Sequence, residues 1–369
     1  MNVYIFQYKD SPCVRCRKVV NSFIKKKYSV TYVGVNRGEK IISIDGLTIR
    51  HIGIKTPRGS LLKIFTLPFF IFSSLIFLLK NVRRNDIVYC ADLDSALGVY
   101  ISSFFKNNFI FIYDVLDTYA DRYKNLKLFS SILRNIESRV FGRSDIPIHV
   151  DFARAKTLKK TSKNFLVIHN KPSENDLYPL NKSFKNYNTE TFKILLSGGI
   201  YDHRGAIKIS DAIQNLISDR YKIELNVIGS GNKKIIDSLK SKSFVNYYGY
   251  VTSSLAQKFS LESELITCLY DPLSPINRLA SPNKIFDAVS NGSMALVNNE
   301  ITNDTVHTEN ENIVYCNYDD VNSISDAIIE SINYLKNETN QIKLLERAKI
   351  FRDQNLWEHE FEQVFDILK

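Results

Sequence analysis

At 369 residues, with 44% hydrophobic and 24% charged residues, the chain has the composition of an ordered globular protein and the length for two α/β domains. Scarce glycine, no low-complexity tract and no short fixed repeat argue against disordered and repeat architectures. The net charge of +10 favours an anionic partner, yet the basic runs Lys25–Lys27 and Lys159, Lys160 and Lys163 lack the interleaved aromatics of a nucleic-acid binder, so nucleic acid is not expected.

The N-terminus enters an apolar run without the basic start and small-residue cleavage site of a signal peptide, which predicts a cytoplasmic protein. Val3–Tyr8 reads as a strand, Val14–Lys26 as a helix and Ser29–Val35 as a second strand. Cys13 and Cys16 form a Cys-x-x-Cys pair at the start of that helix. Five cysteines are an odd and sparse set, and no second pair or histidine cluster completes a zinc site, so the chain reads as reduced and the pair as a bystander.

Ile64–Leu79 is the most apolar stretch. It is shorter than the roughly 20 residues a bilayer-spanning helix needs, it contains Pro68, and Arg58, Lys63, Lys80, Arg83 and Arg84 flank it. Two readings fit: a buried helix, or a face spanning residues 58–84 that rests on an anionic membrane surface. Asp86–Cys90 is then a strand ending at Asp92, Ser95–Phe105 a helix, and Phe109–Tyr113 a strand ending at Asp114. Such alternation predicts a parallel sheet, with Asp92, Asp94, Asp114 and Asp117 near the carboxyl ends where ligands bind.

Periodicity stops between Asn170 and Glu190, where prolines and turn formers read as a linker. A second series follows: strand Thr191–Leu196, a tight loop at Ser197–Gly199, strand Ile223–Ile228 ending at Gly229, then strands Ser263–Leu269 and Met294–Asn298.

Two motifs carry chemistry. In Ala280–Gly292, Ser281 suits an N-cap, Pro282 the first helical position and Gly292 the stop. Free N–H groups near Asn283, the helix dipole and Lys284 make an anion site, and Asp287 shares a face with Lys284. A carboxylate one turn below a bound anion suits a nucleotide's ribose beneath its phosphates; the bland alternative is a well-capped surface helix with an ion pair. In Ser197–Gly205, Gly199 lets the backbone approach a ligand and Arg204 can fork onto a phosphate. Asp92-Leu93-Asp94 reads as helix capping or acceptor contact rather than metal ligation, and no carboxylate cluster suggests a metal.

On these residues the chain resembles the retaining, nucleotide-sugar-dependent glycosyltransferases of the GT-B fold. Ser11–Lys18 resembles the acceptor-facing loop and helix, Val88–Asp94 and Tyr113–Asp117 the cleft-lining strand ends, Val167–Pro172 the segment that closes the first domain, and Leu356–Lys369 the helix that crosses back. The resemblance implies two Rossmann-like domains facing across a cleft: 1–172 for the acceptor, a linker at 173–190, 191–345 for the donor, and returning helices at 346–369. It implies a nucleoside-diphosphate-sugar held by Gly199, Arg204, Gly229, Tyr250, Ser281, Asn283, Lys284 and Asp287. Arg204 and Lys284 take the diphosphate, Asp287 the ribose and Gly249–Val251 the base. The acceptor is a glycan or a lipid-linked intermediate, oriented by Asp92 or Asp117, with no cofactor and no metal. The chain departs from the family pattern at Leu279, where many members carry a first glutamate, and at Leu116, where a histidine is frequent. A nucleotide-sugar epimerase or a non-catalytic partner of another transferase would share the architecture.

Overall fold

The computed structural model describes residues 1–38, 41–57, 62–106, 108–123, 126–158, 165–187, 189–274, 277, 283–301 and 312–369, with the backbone alone for Lys63, Ile64 and Arg122. The chain divides into two compact units, Met1–Asn170 with Phe361–Lys369, and Lys171–Glu360.

The first unit is built on seven parallel strands: β1 (Asn2–Phe6), β2 (Ser29–Gly34), β3 (Leu47–His51), β4 (Ile87–Ala91), β5 (Ile110–Val115), β6 (Ile146–His149) and β7 (Leu166–Val167). Their order is β3-β2-β1-β4-β5-β6-β7. The helices are α1 (Val14–Lys25), α2 (Lys63–Asn81), α3 (Leu93–Ser102), α4 (Lys127–Arg143) and the single turn α5 (Phe152–Ala155). Every residue of β4 is buried, as expected of a central parallel strand covered on both faces.

Helix α2 settles the packing of the long apolar stretch by facing two ways. Phe70, Phe77 and Leu78 are buried, whereas Phe65, Phe69, Phe72, Ile76 and Leu79 are exposed. The exposed set recurs every three or four residues and so forms one stripe along the helix. Arg58 and the run Lys159, Lys160 and Lys163 lie outside the described residues. Among the described residues no helix is long and apolar enough to cross a membrane.

The second unit repeats the plan with β8 (Phe192–Ile200), β9 (Ile223–Gly231), β10 (Val245–Gly249), β11 (Leu265–Cys268), β12 (Met294–Asn298) and β13 (Ile313–Cys316), all parallel in the order β10-β9-β8-β11-β12-β13. Its helices are α6 (Ala206–Ser218), α7 (Lys233–Lys240), α8 (Ser253–Glu262), α9 (Asn283–Ser290), α10 (Val321–Leu335) and α11 (Glu338–Gln354). Each sheet reverses its winding beside its first strand, at β1/β4 and β8/β11. That reversal opens a crevice at the carboxyl ends of the strands.

The last helix, α12 (Trp357–Leu368), begins in the second unit and ends in the first. At its start Trp357 is fully buried, its N–H donating to the Pro172 carbonyl at 3.0 Å, and Lys171 pairs with Glu360 at 2.9 Å. At its end Phe361 and Phe365 pack edge-on against Phe23 of α1, at ring separations of 5.8 and 5.3 Å.

Candidate functional site

At the carboxyl edge of the six-stranded sheet, β8 does not stop in a tight loop at Ser197–Gly199 as its glycines suggest. It stays extended to Ile200 because β9 is equally long and pairs with it, Gly198 opposite Gly229 and Ile200 opposite Gly231. Gly229 has φ +129°, and a Cβ there would meet the Gly198 carbonyl oxygen at 1.9 Å, so only glycine lets the two backbones run this close. Gly198 and Gly199 are exposed, and the Ser197 hydroxyl just before them is buried without a hydrogen-bond partner. The strand end offers a ligand open backbone and one unsatisfied polar atom.

A 3-10 turn, Asp202–Arg204, follows β8 and is fastened on both sides. The Tyr318 hydroxyl donates to the Asp202 carbonyl at 2.8 Å, and the Asp271 N–H donates to the His203 carbonyl at 3.0 Å. Gly205, at φ +68°, starts α6 and packs where a Cβ would come within 2.9 Å of Leu269. The guanidinium of Arg204 lies over the Tyr270 ring, 4.1 Å from its centroid, within the range of a cation–π contact. Tyr270 itself is held by Asn298, whose Oδ1 accepts its N–H at 2.9 Å and whose Nδ2 donates to its carbonyl at 3.1 Å.

Lys284 projects from the first turn of α9. Its Nζ lies 2.9 Å from Asp287 Oδ2, so the face shared by positions 284 and 287 becomes a contact. Asp287 Oδ1 accepts from Gln257 at 2.6 Å, Asn291 donates to Gln257 Oε1 at 2.8 Å, and Arg352 donates to Asn291 Oδ1 at 2.9 Å and to the Tyr178 carbonyl at 2.6 Å. Lys284 is thus the exposed end of a buried polar chain, itself 25% exposed against 10% for Asp287. Burial alone would lower the Lys284 ammonium, but the Asp287 carboxylate outweighs it and the pKa rises above its ordinary value. Lys284 also feels Tyr270, and burial pushes the Cys268 thiol up while Lys284 and Arg204 both pull it down. Both cations therefore act on the Cys268 thiol, and Lys284 acts on Tyr270 as well.

Asn283 opens α9, half-buried, whereas Ser281 and Leu279 lie outside the described residues. Tyr250 follows β10 and is 77% exposed. Tyr270, Gln257, Asn291, Asn298 and Arg352 were not singled out in the sequence. Asn291 lies four residues after Asp287 and could be found by helical period; the others come together only through the fold.

At the carboxyl edge of the seven-stranded sheet, Asp92 does not cap α3 with its side chain. Its Oδ1 accepts from the Leu116 and Asp117 N–H groups at 3.1 and 3.4 Å, joining the ends of β4 and β5, because its φ of +67° turns the carboxylate away from the helix. Asp117 is half-exposed and pairs with Arg154 at 2.9 Å. Asp114 is fully buried and accepts from Arg15 Nε and Nη2 at 2.6 and 3.0 Å and from the Tyr89 hydroxyl, while Arg15 Nη1 reaches the Ile168 carbonyl at 2.8 Å. Among the described residues no group of three or more His, Cys, Asp or Glu side chains is placed to hold a metal ion.

No protein-family model matches the chain, and no curated protein matches its sequence. Solved structures match over its whole length. A sucrose-phosphate synthase from Thermosynechococcus elongatus superposes with a TM-score of 0.74 at 11% identity, covering 100% of this chain and 99% of that one. Trehalose-6-phosphate synthase from E. coli, bound with UDP-2-fluoro glucose, gives 0.68 at 9% identity over 100% and 99%. WaaG, a glycosyltransferase involved in lipopolysaccharide biosynthesis, gives 0.66 at 14% identity over 100% and 99%. With its two parallel sheets and its returning last helix, the chain has the GT-B fold of these glycosyltransferases.

Proposed function

We propose that the protein is a glycosyltransferase that moves a sugar from a nucleoside-diphosphate-sugar to an acceptor hydroxyl, with retention and without a metal. The observation that carries the reading is the pair Arg204, over the Tyr270 ring, and Lys284, in the first turn of α9, both following strand ends of a GT-B donor sheet and both acting on Cys268. Negative charge grows on the departing diphosphate as the glycosidic bond breaks, and cations fixed before the reaction stabilise it without reorganisation. Arg204 offers a planar fork to two oxygens, and its stack on Tyr270 lowers the ordering cost. Lys284 is a mobile point charge tethered to Asp287. A phosphate would draw Lys284 off Asp287, and the released Oδ2 would then accept from a ribose hydroxyl. In this scheme Gly199, Gly229 and Asn283 approach the phosphates with backbone or amide groups, and Tyr250 stacks beside the base. Asp117, half-exposed, is better placed to meet an acceptor than Asp92, whose Oδ1 is occupied by backbone.

The test is incubation of purified protein with a panel of nucleotide sugars in EDTA, read by proton NMR. Release of nucleoside diphosphate with an α-linked or hydrolysed sugar from an α-donor supports the reading. Epimerised donor, or release only with added divalent metal, would overturn it.

The acceptor in this proposal is lipid-linked, because α2 carries an exposed apolar stripe that is followed in the chain by the exposed Lys80, Arg83 and Arg84, and Phe104 and Phe105 after α3 are exposed as well. An apolar face bordered by cations is what an anionic bilayer surface binds. Sedimentation with phosphatidylglycerol vesicles should carry the protein down. Serine at Phe65, Phe69 and Phe72 together should weaken this by at least roughly 1000-fold, at about 1.5–3 kcal/mol per buried phenylalanine. Unchanged sedimentation of the triple variant would remove the membrane from the account.

A further inference from the structure

The Cys-x-x-Cys pair, isolated in the sequence, sits at the start of α1. Cys13 occupies the N-cap of α1 with extended backbone dihedrals, φ −63° and ψ 171°, and is partly exposed. Cys16 lies in the first turn, on the inward face, fully buried. The two thiols act on each other, Cys16 holding the Cys13 thiol down and Cys13 holding the Cys16 thiol up. The Cys13 N–H donates to Gln7 Oε1 at 3.0 Å. No acid occupies the first turn of α1, and Lys9 adds its charge beside Cys13. Residues three apart at a helix start have Cβ atoms about 5–6 Å apart, against about 3.5–4.5 Å in a disulfide. Cys13, outside the helical dihedrals, can swing to close that difference.

We propose that Cys13 and Cys16 form a thiol–disulfide exchange site, with Cys13 as the attacking thiolate and Cys16 as the resolving thiol, whose substrate is a small-molecule disulfide.

The two sulfurs differ in the way such chemistry requires. The neighbouring Cys16 thiol first, and Lys9 against the cost of burial, bring Cys13 down to about 5. The Cys13 thiol, burial, and the charges of Cys13 and Asp114 push Cys16 up, against a smaller pull from Lys9; Arg15, Tyr32 and Tyr89 also act on Cys16. At neutral pH Cys13 is therefore a thiolate and Cys16 a thiol. Cys13 attacks one sulfur of the disulfide, forming a mixed disulfide and expelling a first thiolate, which takes a proton from solvent. Cys16 then passes its proton to the second leaving sulfur as it attacks Cys13. Two protein thiols and one disulfide become one protein disulfide and two free small thiols. The pair is the two-electron reductant and the small disulfide the oxidant. The other described cysteines, Cys90, Cys268 and Cys316, are buried and do not compete.

The full-length protein should be incubated with oxidised glutathione and its intact mass measured. Wild type should become two hydrogens lighter and retain no glutathione. Cys16→Ser should stop with one glutathione on Cys13, and Cys13→Ser should take none at that pair. Alkylation of Cys13 by iodoacetamide, followed by peptide mapping of wild type, should be nearly flat from pH 6 to 9 and about tenfold faster at pH 6 than that of free glutathione, once the lower nucleophilicity of a low-pKa thiolate is allowed for. An alkylation profile with its midpoint near an ordinary thiol's 8.5, or a folded Cys16→Ser protein that traps no adduct, would overturn the proposal. The wild-type profile decides the matter even where a serine variant fails to fold.

Discussion

Replacing Arg204 with alanine should lower kcat/KM for nucleoside-diphosphate release by about 100- to 1000-fold, the usual effect of removing one preorganised charge donor from a transition state. The fold should be untouched, because the turn that carries Arg204 is held through its carbonyls by the Tyr318 hydroxyl and the Asp271 N–H rather than by the guanidinium. Arg204→Lys should recover only part of the loss: lysine keeps the charge but neither stacks flat on Tyr270 nor bridges two oxygens. Lys284→Ala should lower kcat/KM by a similar factor and also reduce stability, since it leaves the Asp287 carboxylate, 10% exposed, without its cation. Steady-state kinetics beside thermal melting separates the two effects. Full activity in Arg204→Ala would place the diphosphate elsewhere.

Asp114→Ala should destabilise the first unit by about 3–5 kcal/mol, the usual cost of stranding one member of a buried ion pair. Arg15, 3% exposed, would keep its charge buried without the carboxylate that pairs with it, and the Tyr89 hydroxyl would lose the Asp114 acceptor. A loss of that size corresponds to a fall in Tm of roughly 10 °C. Replacing both partners with apolar residues of similar size, Arg15→Met with Asp114→Leu, should return much of it, because no charge is then left buried. A melting curve of Asp114→Ala matching wild type would show that the pair is solvated.

The fold was legible wherever apolar runs ended in turn residues. The strands at Val3, Ser29, Asp86, Phe109, Thr191, Ile223 and Met294 all exist within a few residues of their expected limits. β3 and β10 gave no comparable signal. Both lie at sheet edges, where residues alternate between half-buried and exposed and the sequence loses its apolar run. β7, two residues long, has no periodicity to read. The glycines after Leu196 mark a turn by composition but a close strand pairing in space, since the same residue type serves both. In the candidate site, helical spacing brought out the contact between Lys284 and Asp287. The Tyr270 platform and the chain from Gln257 to Arg352 were invisible, because they join segments separated by tens of residues, and sequence spacing carries no trace of such contacts. Cys13 and Cys16 were visible as a motif, but their asymmetry depends on burial of one sulfur and exposure of the other.

The most direct test is calorimetric titration of wild type, Arg204→Ala and Lys284→Ala with a panel of nucleoside diphosphates in EDTA. Wild type should bind at least one of them without metal, and each variant should bind it at least about tenfold more weakly, a difference of about 1.4 kcal/mol. Equal affinity in all three proteins, or binding by wild type only after a divalent ion is restored, would contradict a diphosphate held by these two cations.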